Sequence, residues 1–224
     1  MDLDSMRVEN VFGQPIVRIP CDDDELYRNE DLTKSVNKVL NLPVVKNRIR
    51  RERGDSHVGG GYSSVGQMYL PIIHLPGAAG ITAWVSNSML AARKLLGIDK
   101  PANSVSYKRS WANRMLKGAQ GKCHRHLVLD NYMAKNTDYP AENFTPDVVG
   151  IFYVDVPPGS ADLIFIRNGA PDIRHTEFNE EDKYYVKPIT GELVLHTPDM
   201  WHAVGNHNND LPRNVFVFDA DYVE

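Results

Sequence analysis

The chain has 224 residues, of which 42% are hydrophobic and 24% are charged, and its formal net charge is −4. This composition is typical of a globular domain and excludes a disordered or fibrous chain. The mild negative charge gives no reason to expect a nucleic-acid partner, and no apolar run approaches the roughly 20 residues of a membrane helix, so we expect no membrane partner.

The cellular compartment follows from the N-terminal sequence and the cysteines. MDLDSMRVEN lacks the basic and apolar regions of a signal peptide. Cys21 and Cys123 form no repeating disulfide framework, which is typical of a reducing compartment. We therefore expect a cytoplasmic protein, and the length suits one domain that spans residues 1–224.

Helical patterns occupy the first part of the chain. DDDELYRNEDLTKSVNKVLN has apolar residues at helical spacing, and SNSMLAARKLLG predicts a second helix with Asn87 or Ser88 as its N-cap and Gly97 after its end. The Gly-rich stretch HVGGGYSSVGQMYLP between them predicts a loop or a short strand. We expect residues 1–100 to form a helix-containing support region.

From Ser104 onward the pattern changes to short strands separated by turns. These segments are rich in β-branched and aromatic residues: SVSYKRSWANRML, VVGIFYVDV, ADLIFI, YYVKPI, ELVLHT and NVFVFDADYV. Turn residues rather than helices connect them, which favours an antiparallel sandwich or barrel. The sequence thus predicts a mainly β fold, with a helical N-terminal half and a β-roll core at residues 104–224.

The first candidate for chemistry is the His-Arg-His segment in GKCHRHLV. If this segment is a strand, His124 and His126 project from the same face, with Cα atoms about 6.6 Å apart, while Cys123 points to the opposite face. Two imidazoles so placed can bind one metal ion. Spacing alone supports a metal pair and two ordinary polar side chains equally.

A second candidate lies near the C-terminus, where His202 precedes a polar turn and Arg213 opens the next strand. A hairpin through residues 205–212 would bring Arg213 close to the His202 side of a sheet. The planar guanidinium pairs bidentately with a carboxylate, so a buried Arg213 would suit an acidic co-substrate. Alternatively, Arg213 forms a salt bridge at the rim with Asp210 or Asp219.

The order of these segments forms a pattern that covers most of the chain. A Trp-x-Asn strand with Trp111 and Asn113 precedes His-x-His. The strand pair VVGIFYVDVPPGSADLIFI follows, then Gly-x-Leu-Val-Leu-x-x-Pro-x-x-x-His-x-Val, and then Arg and a closing strand. This order resembles the iron(II)- and 2-oxoglutarate-dependent oxygenases, in particular a prolyl-hydroxylase-like branch. The resemblance implies a double-stranded β-helix, the jelly-roll that is also found in cupins.

The resemblance also implies roles for individual residues. His124 would be the first iron ligand, His202 the distal ligand, and Arg213 the residue that binds the far carboxylate of 2-oxoglutarate. Asn113 and Tyr153 would reach the co-substrate or the substrate if their strands line the roll. As alternatives, Asn113 orients a ligand from behind and Tyr153 belongs to the core.

One position departs from the family pattern. Most members carry a carboxylate two residues after the first histidine, where this chain has His126. Either three imidazoles bind the metal, or His126 lies behind the ligands and a carboxylate comes from elsewhere. Asp130 is the nearest candidate, but in a continuous strand it would lie about 20 Å from His124. We favour His126 as the third ligand.

The resemblance therefore predicts a non-haem Fe(II), 2-oxoglutarate-dependent oxygenase that hydroxylates a protein or peptide side chain or a small molecule. Its partners would be 2-oxoglutarate, dioxygen and that substrate, and a homo-oligomer is compatible with the sequence. Two alternatives stay open. One is a cupin-like metal dioxygenase that uses no oxo acid, and the other is a non-catalytic jelly-roll binding module.

Overall fold

The computed structural model of the chain describes residues 5–46, 61–64, 71–127, 145–168 and 178–224. Its α-helices lie before residue 100, namely α1 (Glu25–Arg28), α2 (Glu30–Leu40) and α3 (Ala79–Ala92), and residues 43–46 are also helical. Short 3-10 helices cover Ile72–His74 and Glu180–Asp182. Within the described ranges, no helix combines the length and the apolar composition that crossing a bilayer requires.

The strands run through the whole chain and make the fold mainly β, as predicted. In chain order they are β1 (Arg7–Val11), β2 (Gln14–Pro20), β3 (Tyr62–Ser63), β4 (Ser104–Met115), β5 (Gly121–His124), β6 (Val148–Asp155), β7 (Leu163–Ile166), β8 (Lys183–Val186), β9 (Glu192–His196), β10 (Trp201–Val204) and β11 (Arg213–Val223).

The strands form two antiparallel sheets. The large sheet has the order β1-β2-β9-β6-β11-β4-β3, and the small sheet has the order β5-β10-β7-β8. The first 100 residues are thus only partly helical, because β1, β2 and β3 belong to the large sheet. The hairpin of β1 and β2 extends that sheet beyond β9, where Val17 is the register partner of Leu195.

The large sheet has a hydrophobic cluster on each face. One cluster packs the sheet against the helices, with Leu32 of α2 and Val85 of α3 beside Phe152 and Phe218. The other cluster fills the space between the two sheets, where Phe165 of the small sheet is buried. Alternate residues of one strand therefore enter different clusters, as the period of two in β-strands requires.

The helix boundaries differ in part from the sequence-based expectation. Asn29 caps α2, because its side-chain oxygen accepts a hydrogen bond from the Leu32 backbone N–H at 2.9 Å. Helix α3, however, begins at Ala79, so Asn87 and Ser88 lie inside it and the predicted N-cap is wrong. Residues 79–85 continue the same buried apolar face, which extends the helix toward its N-terminus.

The predicted hairpin between His202 and Arg213 is also wrong. Strand β10 pairs with β5 and β7, whereas β11 pairs with β4 and β6, so the connecting segment crosses from the small sheet to the large one. His207 anchors this crossing. Its side chain is buried, and its backbone N–H donates to the Ala119 carbonyl at 2.8 Å. Because the two sheets face each other, His202 and Arg213 still line one cavity.

Candidate metal centre

Three histidines meet between the sheets. The ligand atoms of His124, His126 and His202 all lie within 4.8 Å of one another. Their ring centroids are 4.4 Å apart for His124 and His202, 5.1 Å for His126 and His202, and 5.3 Å for His124 and His126. A set of three imidazoles at this separation suits a transition-metal ion of the kind that nitrogen ligands bind.

The small sheet brings the first and the last of these histidines together. His124 ends β5 and is the direct register partner of His202 in β10. Gly121 allows the two strands this close approach, since a Cβ atom at this position would lie 3.0 Å from the Cβ of Val204. The strand ends at His124, earlier than predicted, and the backbone N–H of His126 instead donates to the Pro198 carbonyl at 2.9 Å.

The hydrogen bonds of the three imidazoles determine their tautomers. Nδ1 of His124 lies 2.8 Å from the Lys122 carbonyl, and Nδ1 of His202 lies 3.1 Å from the Met200 carbonyl. Nδ1 of His126 lies 2.6 Å from Oδ1 of Asp219. Carbonyl and carboxylate oxygens only accept, so each Nδ1 donates and each Nε2 carries the lone pair. This is the tautomer that binds a metal through Nε2, and such partners are typical of metal-bound histidines.

Burial favours the neutral form of two imidazoles, those of His202 and His196. His202 is buried, and this burial together with the neighbouring imidazoles lowers its pKa well below the ordinary value. His196 of β9 is fully buried beside it, with the two ring centroids 4.8 Å apart. Burial lowers the pKa of His196 to about 4. Nε2 of His196 has no hydrogen-bond partner among the described residues.

Asp219 of β11 is a residue of this site that the sequence reasoning missed as a partner of the histidines. Its side chain is completely buried, and its Oδ2 accepts from Nε of Arg109 at 2.8 Å while Oδ1 accepts from His126. Burial alone would raise the pKa of Asp219, but His126 and Arg109 outweigh it and hold this pKa below its ordinary value. Position 126 thus carries a histidine where the family pattern has a carboxylate, and the carboxylate of Asp219 contacts Nδ1 of that histidine.

Arg213 lies in the same cavity as the histidines. It is 2% exposed, and its guanidinium carbon lies 5.2 Å from the ring centroid of Tyr153. Nε of Arg213 and the hydroxyl of Tyr153 are both buried without a hydrogen-bond partner in the described part of the chain. No carboxylate of the described residues lies within salt-bridge distance of Arg213. Asp210 pairs with Lys117 and Asp219 with Arg109, and the charge of Asp162 acts on Arg213 only from a longer distance.

The three histidines, Arg213, Trp111 and Asn113 all contribute to the wall of one small, partly open cavity. Trp111 stacks on His126 with ring centroids 5.9 Å apart. Arg114, the next residue of β4 after Asn113, instead donates to the side chain of Asn37 of α2. Asp130, the alternative carboxylate considered from the sequence, lies outside the described residues.

Comparison with known proteins gives similarity at the level of structure only. No protein-family model matches the chain, and no curated protein matches its sequence. The non-heme monooxygenase ThoJ in its apo form is 15% identical, with a TM-score of 0.52 over 91% of this chain and 71% of its own. The non-heme α-ketoglutarate-dependent epimerase SnoN from nogalamycin biosynthesis is 12% identical, with a TM-score of 0.51 over 92% of this chain and 76% of its own.

A third similar structure was solved with ligands bound. HygX from Streptomyces hygroscopicus, with nickel, 2-oxoglutarate and hygromycin B, is 10% identical, with a TM-score of 0.51 over 92% of this chain and 82% of its own. The chain spans 57% of the length of a 2OG-Fe(II) oxygenase family structure from Burkholderia pseudomallei. At such low identity the likeness concerns the fold alone. The chain thus has the double-stranded β-helix fold of 2-oxoglutarate-dependent oxygenases, as the order of its sequence segments predicts.

Proposed function

We propose that this protein is a non-haem Fe(II), 2-oxoglutarate-dependent oxygenase whose single domain spans residues 1–224. His124, His126 and His202 hold the metal, and Arg213 binds the far carboxylate of 2-oxoglutarate. The donor set fits such an ion, because the three imidazoles each offer a ring nitrogen and these ligand atoms lie within 4.8 Å of one another. When bound, the metal supplies the activation of dioxygen that this class of reaction requires.

The observation that carries this proposal is the buried guanidinium in the histidine cavity. Removing a cation from water is costly unless an anion accompanies it, and Arg213 has no such partner among the described residues. A carboxylate of the co-substrate would supply the missing charge. It would also give Nε of Arg213 and the hydroxyl of Tyr153 the hydrogen-bond partners that they lack.

The surrounding side chains would position this co-substrate and exclude water from it. Tyr153 lies against Arg213, Asn113 lines the cavity, and apolar residues of β4, β6, β7, β10 and β11 form most of the remaining wall. A carboxylate held in such an apolar enclosure interacts more strongly with the guanidinium than it would in water. Asn113 and Tyr153 are therefore proposed co-substrate contacts.

The reaction that we propose is the hydroxylation of a protein or peptide side chain or of a small molecule. HygX is a similar structure that holds the small molecule hygromycin B together with 2-oxoglutarate. We expect 2-oxoglutarate to be decarboxylated to succinate in the course of the reaction. Purified protein supplied with Fe(II) and ascorbate should accordingly release succinate, in a manner that depends on the metal.

The test of the co-substrate site is an Arg213→Ala variant. Loss of a buried, charge-paired guanidinium should weaken 2-oxoglutarate binding by about 3 kcal/mol, or more than 100-fold. Calorimetric titration of the metal-loaded protein measures this change, with Arg213→Lys as a milder variant that keeps the positive charge. Arg114→Ala serves as the matched control, because Arg114 contacts Asn37 and Asn214 instead.

Two results would contradict the proposal. One is an unchanged 2-oxoglutarate affinity in a folded, metal-loaded Arg213→Ala variant, which would favour a cupin-like dioxygenase without an oxo acid. The other is an absence of divalent-metal binding in the unaltered protein, which would favour a non-catalytic binding module.

A further inference from the structure

We propose that Asp219 is a positioning residue. Through its hydrogen bond to His126, its negative charge compensates in part for the carboxylate ligand that a three-imidazole metal site lacks. This inference rests on the proposed function, since it concerns the same metal centre. The usual ligand set of two histidines and one carboxylate places one negative charge directly on the metal. In this chain an imidazole, that of His126, takes the third position. The nearest described carboxylate to it is that of Asp219, which its Nδ1 contacts directly.

The contact between Asp219 and His126 is short and buried. Oδ1 of Asp219 lies 2.6 Å from Nδ1 of His126, the Asp219 side chain is 0% exposed, and the His126 side chain is 5% exposed. A hydrogen bond to an ionised acceptor is stronger than a neutral one, and a low dielectric strengthens it further. The carboxylate therefore both fixes the orientation of the ring and makes its Nε2 a stronger donor to the metal.

Arg109 holds this carboxylate in place and ionised. Arg109 and Asp219 are direct register partners across β4 and β11, and the guanidinium contacts Oδ2, the oxygen that His126 does not use. The Arg109 side chain is 17% exposed, so water screens its charge more than that of the fully buried carboxylate. Arg109 also lies over Trp111, which stacks on His126, and this layering restricts the movement of the imidazole.

The first test is an Asp219→Asn variant. This change removes the charge and keeps the shape of the side chain. The single amide oxygen can still accept the proton of His126 Nδ1, while the amide NH2 replaces the oxygen that accepts from Arg109. Affinity for Co(II) or Fe(II), measured anaerobically by competition with a chelating dye, should fall about 10- to 100-fold. The visible spectrum of the Co(II) protein should change with it. Asp221→Asn is the matched control, since Asp221 lies on the same strand and pairs with Lys108 away from the histidines.

The decisive test repeats the Asp219→Asn change in a His126→Asp background. There the carboxylate at position 126 would itself bind the metal, and Asp219 behind it would be a buried like charge. Removing the Asp219 charge should then raise metal affinity, whereas in the unaltered chain it lowers it. A residue with a merely structural role would weaken binding in both backgrounds. If Asp219→Asn alone does not fold, recovery of folding and metal binding in the protein that carries both His126→Asp and Asp219→Asn supports the same conclusion.

The outcomes separate this inference from the function on which it rests. If the unaltered chain binds the metal and Asp219→Asn binds it equally well, the inference is overturned and the proposed function stands. The inference is also overturned if Asp219→Asn lowers metal affinity equally in the unaltered chain and in the His126→Asp background. If the unaltered chain binds no divalent metal, both are overturned.

Discussion

At the scale of single residues, the most unusual group outside the three proposed ligands is His196. Its ring is fully buried, and its Nδ1 donates to the Thr197 carbonyl at 2.8 Å. Burial lowers its pKa from 6.5 to about 4. The unfolded chain therefore takes up a proton at this residue at a pH where the folded chain does not, and the free energy of unfolding falls as the pH drops below about 6.5.

We expect His196 to account for about 2 kcal/mol of the stability lost between about pH 7 and pH 5. His196→Phe places an aromatic ring that does not titrate at this position. Urea unfolding of the metal-free protein at both pH values should show a smaller decline for the variant than for the unaltered chain. If the free energy of unfolding falls equally in the variant and in the unaltered chain, the pH dependence does not come from His196.

The residues of the candidate site differ in how far the sequence predicts them. Spacing pairs His124 with His126, and the order of the later strands adds His202 and Arg213. The role of Asp219 was not predicted, because its contact with His126 spans 93 positions and no local pattern encodes it. A signal exists nonetheless. Asp219 follows Arg213, Val215 and Val217 at alternate positions, so it is a carboxylate on the inward face of an otherwise buried strand.

At the scale of elements, the pairing of β5 with β10 determines whether the histidines meet. Gly121→Ala would place a methyl group 3.1 Å from the Val204 backbone nitrogen, and β5 would have to move away from β10. We expect metal affinity to fall at least about tenfold and the free energy of unfolding to fall by about 1 kcal/mol. Metal titration and urea unfolding measure the two effects.

Gly205→Ala is the control for this prediction. Gly205 follows β10 directly, and its added Cβ would make only ordinary contacts, the nearest being 3.6 Å from Ile164. Unchanged metal binding in both glycine variants would show that the strand spacing does not determine the site. The sequence did not reveal this constraint, because a glycine in a short strand gives no information about which strand lies opposite it.

At the scale of the whole molecule, a buried ion-pair network joins the N-terminal hairpin to the core. Glu192 of β9 is 1% exposed, and its carboxylate pairs with Arg18 of β2 and Arg7 of β1. We expect Glu192→Ala to lower the free energy of unfolding by about 3 kcal/mol, because it leaves the guanidinium of Arg18 buried without its main partner. Chemical denaturation measures the loss.

The control for the network is Asp210→Ala. Asp210 pairs with Lys117 at the surface, where water screens the interaction, so its removal should leave the midpoint of unfolding unchanged. Similar effects of the two substitutions would argue against a special role for the buried network. The sequence predicted the mainly β class but not this hairpin, because the pairing of β2 with β9 joins residues far apart in the chain.

The large sheet separates two hydrophobic clusters, and this arrangement affects how cooperatively the molecule unfolds. Strands β6 and β11 contribute residues to the cluster under the helices and, from the opposite face, to the cluster around the cavity. Because both clusters share these two strands, unfolding of the strands exposes both clusters to water at once. The helical layer and the cavity layer should therefore unfold as one unit. A substitution under the helices would then lower the stability of the whole molecule and leave the geometry of the histidines intact.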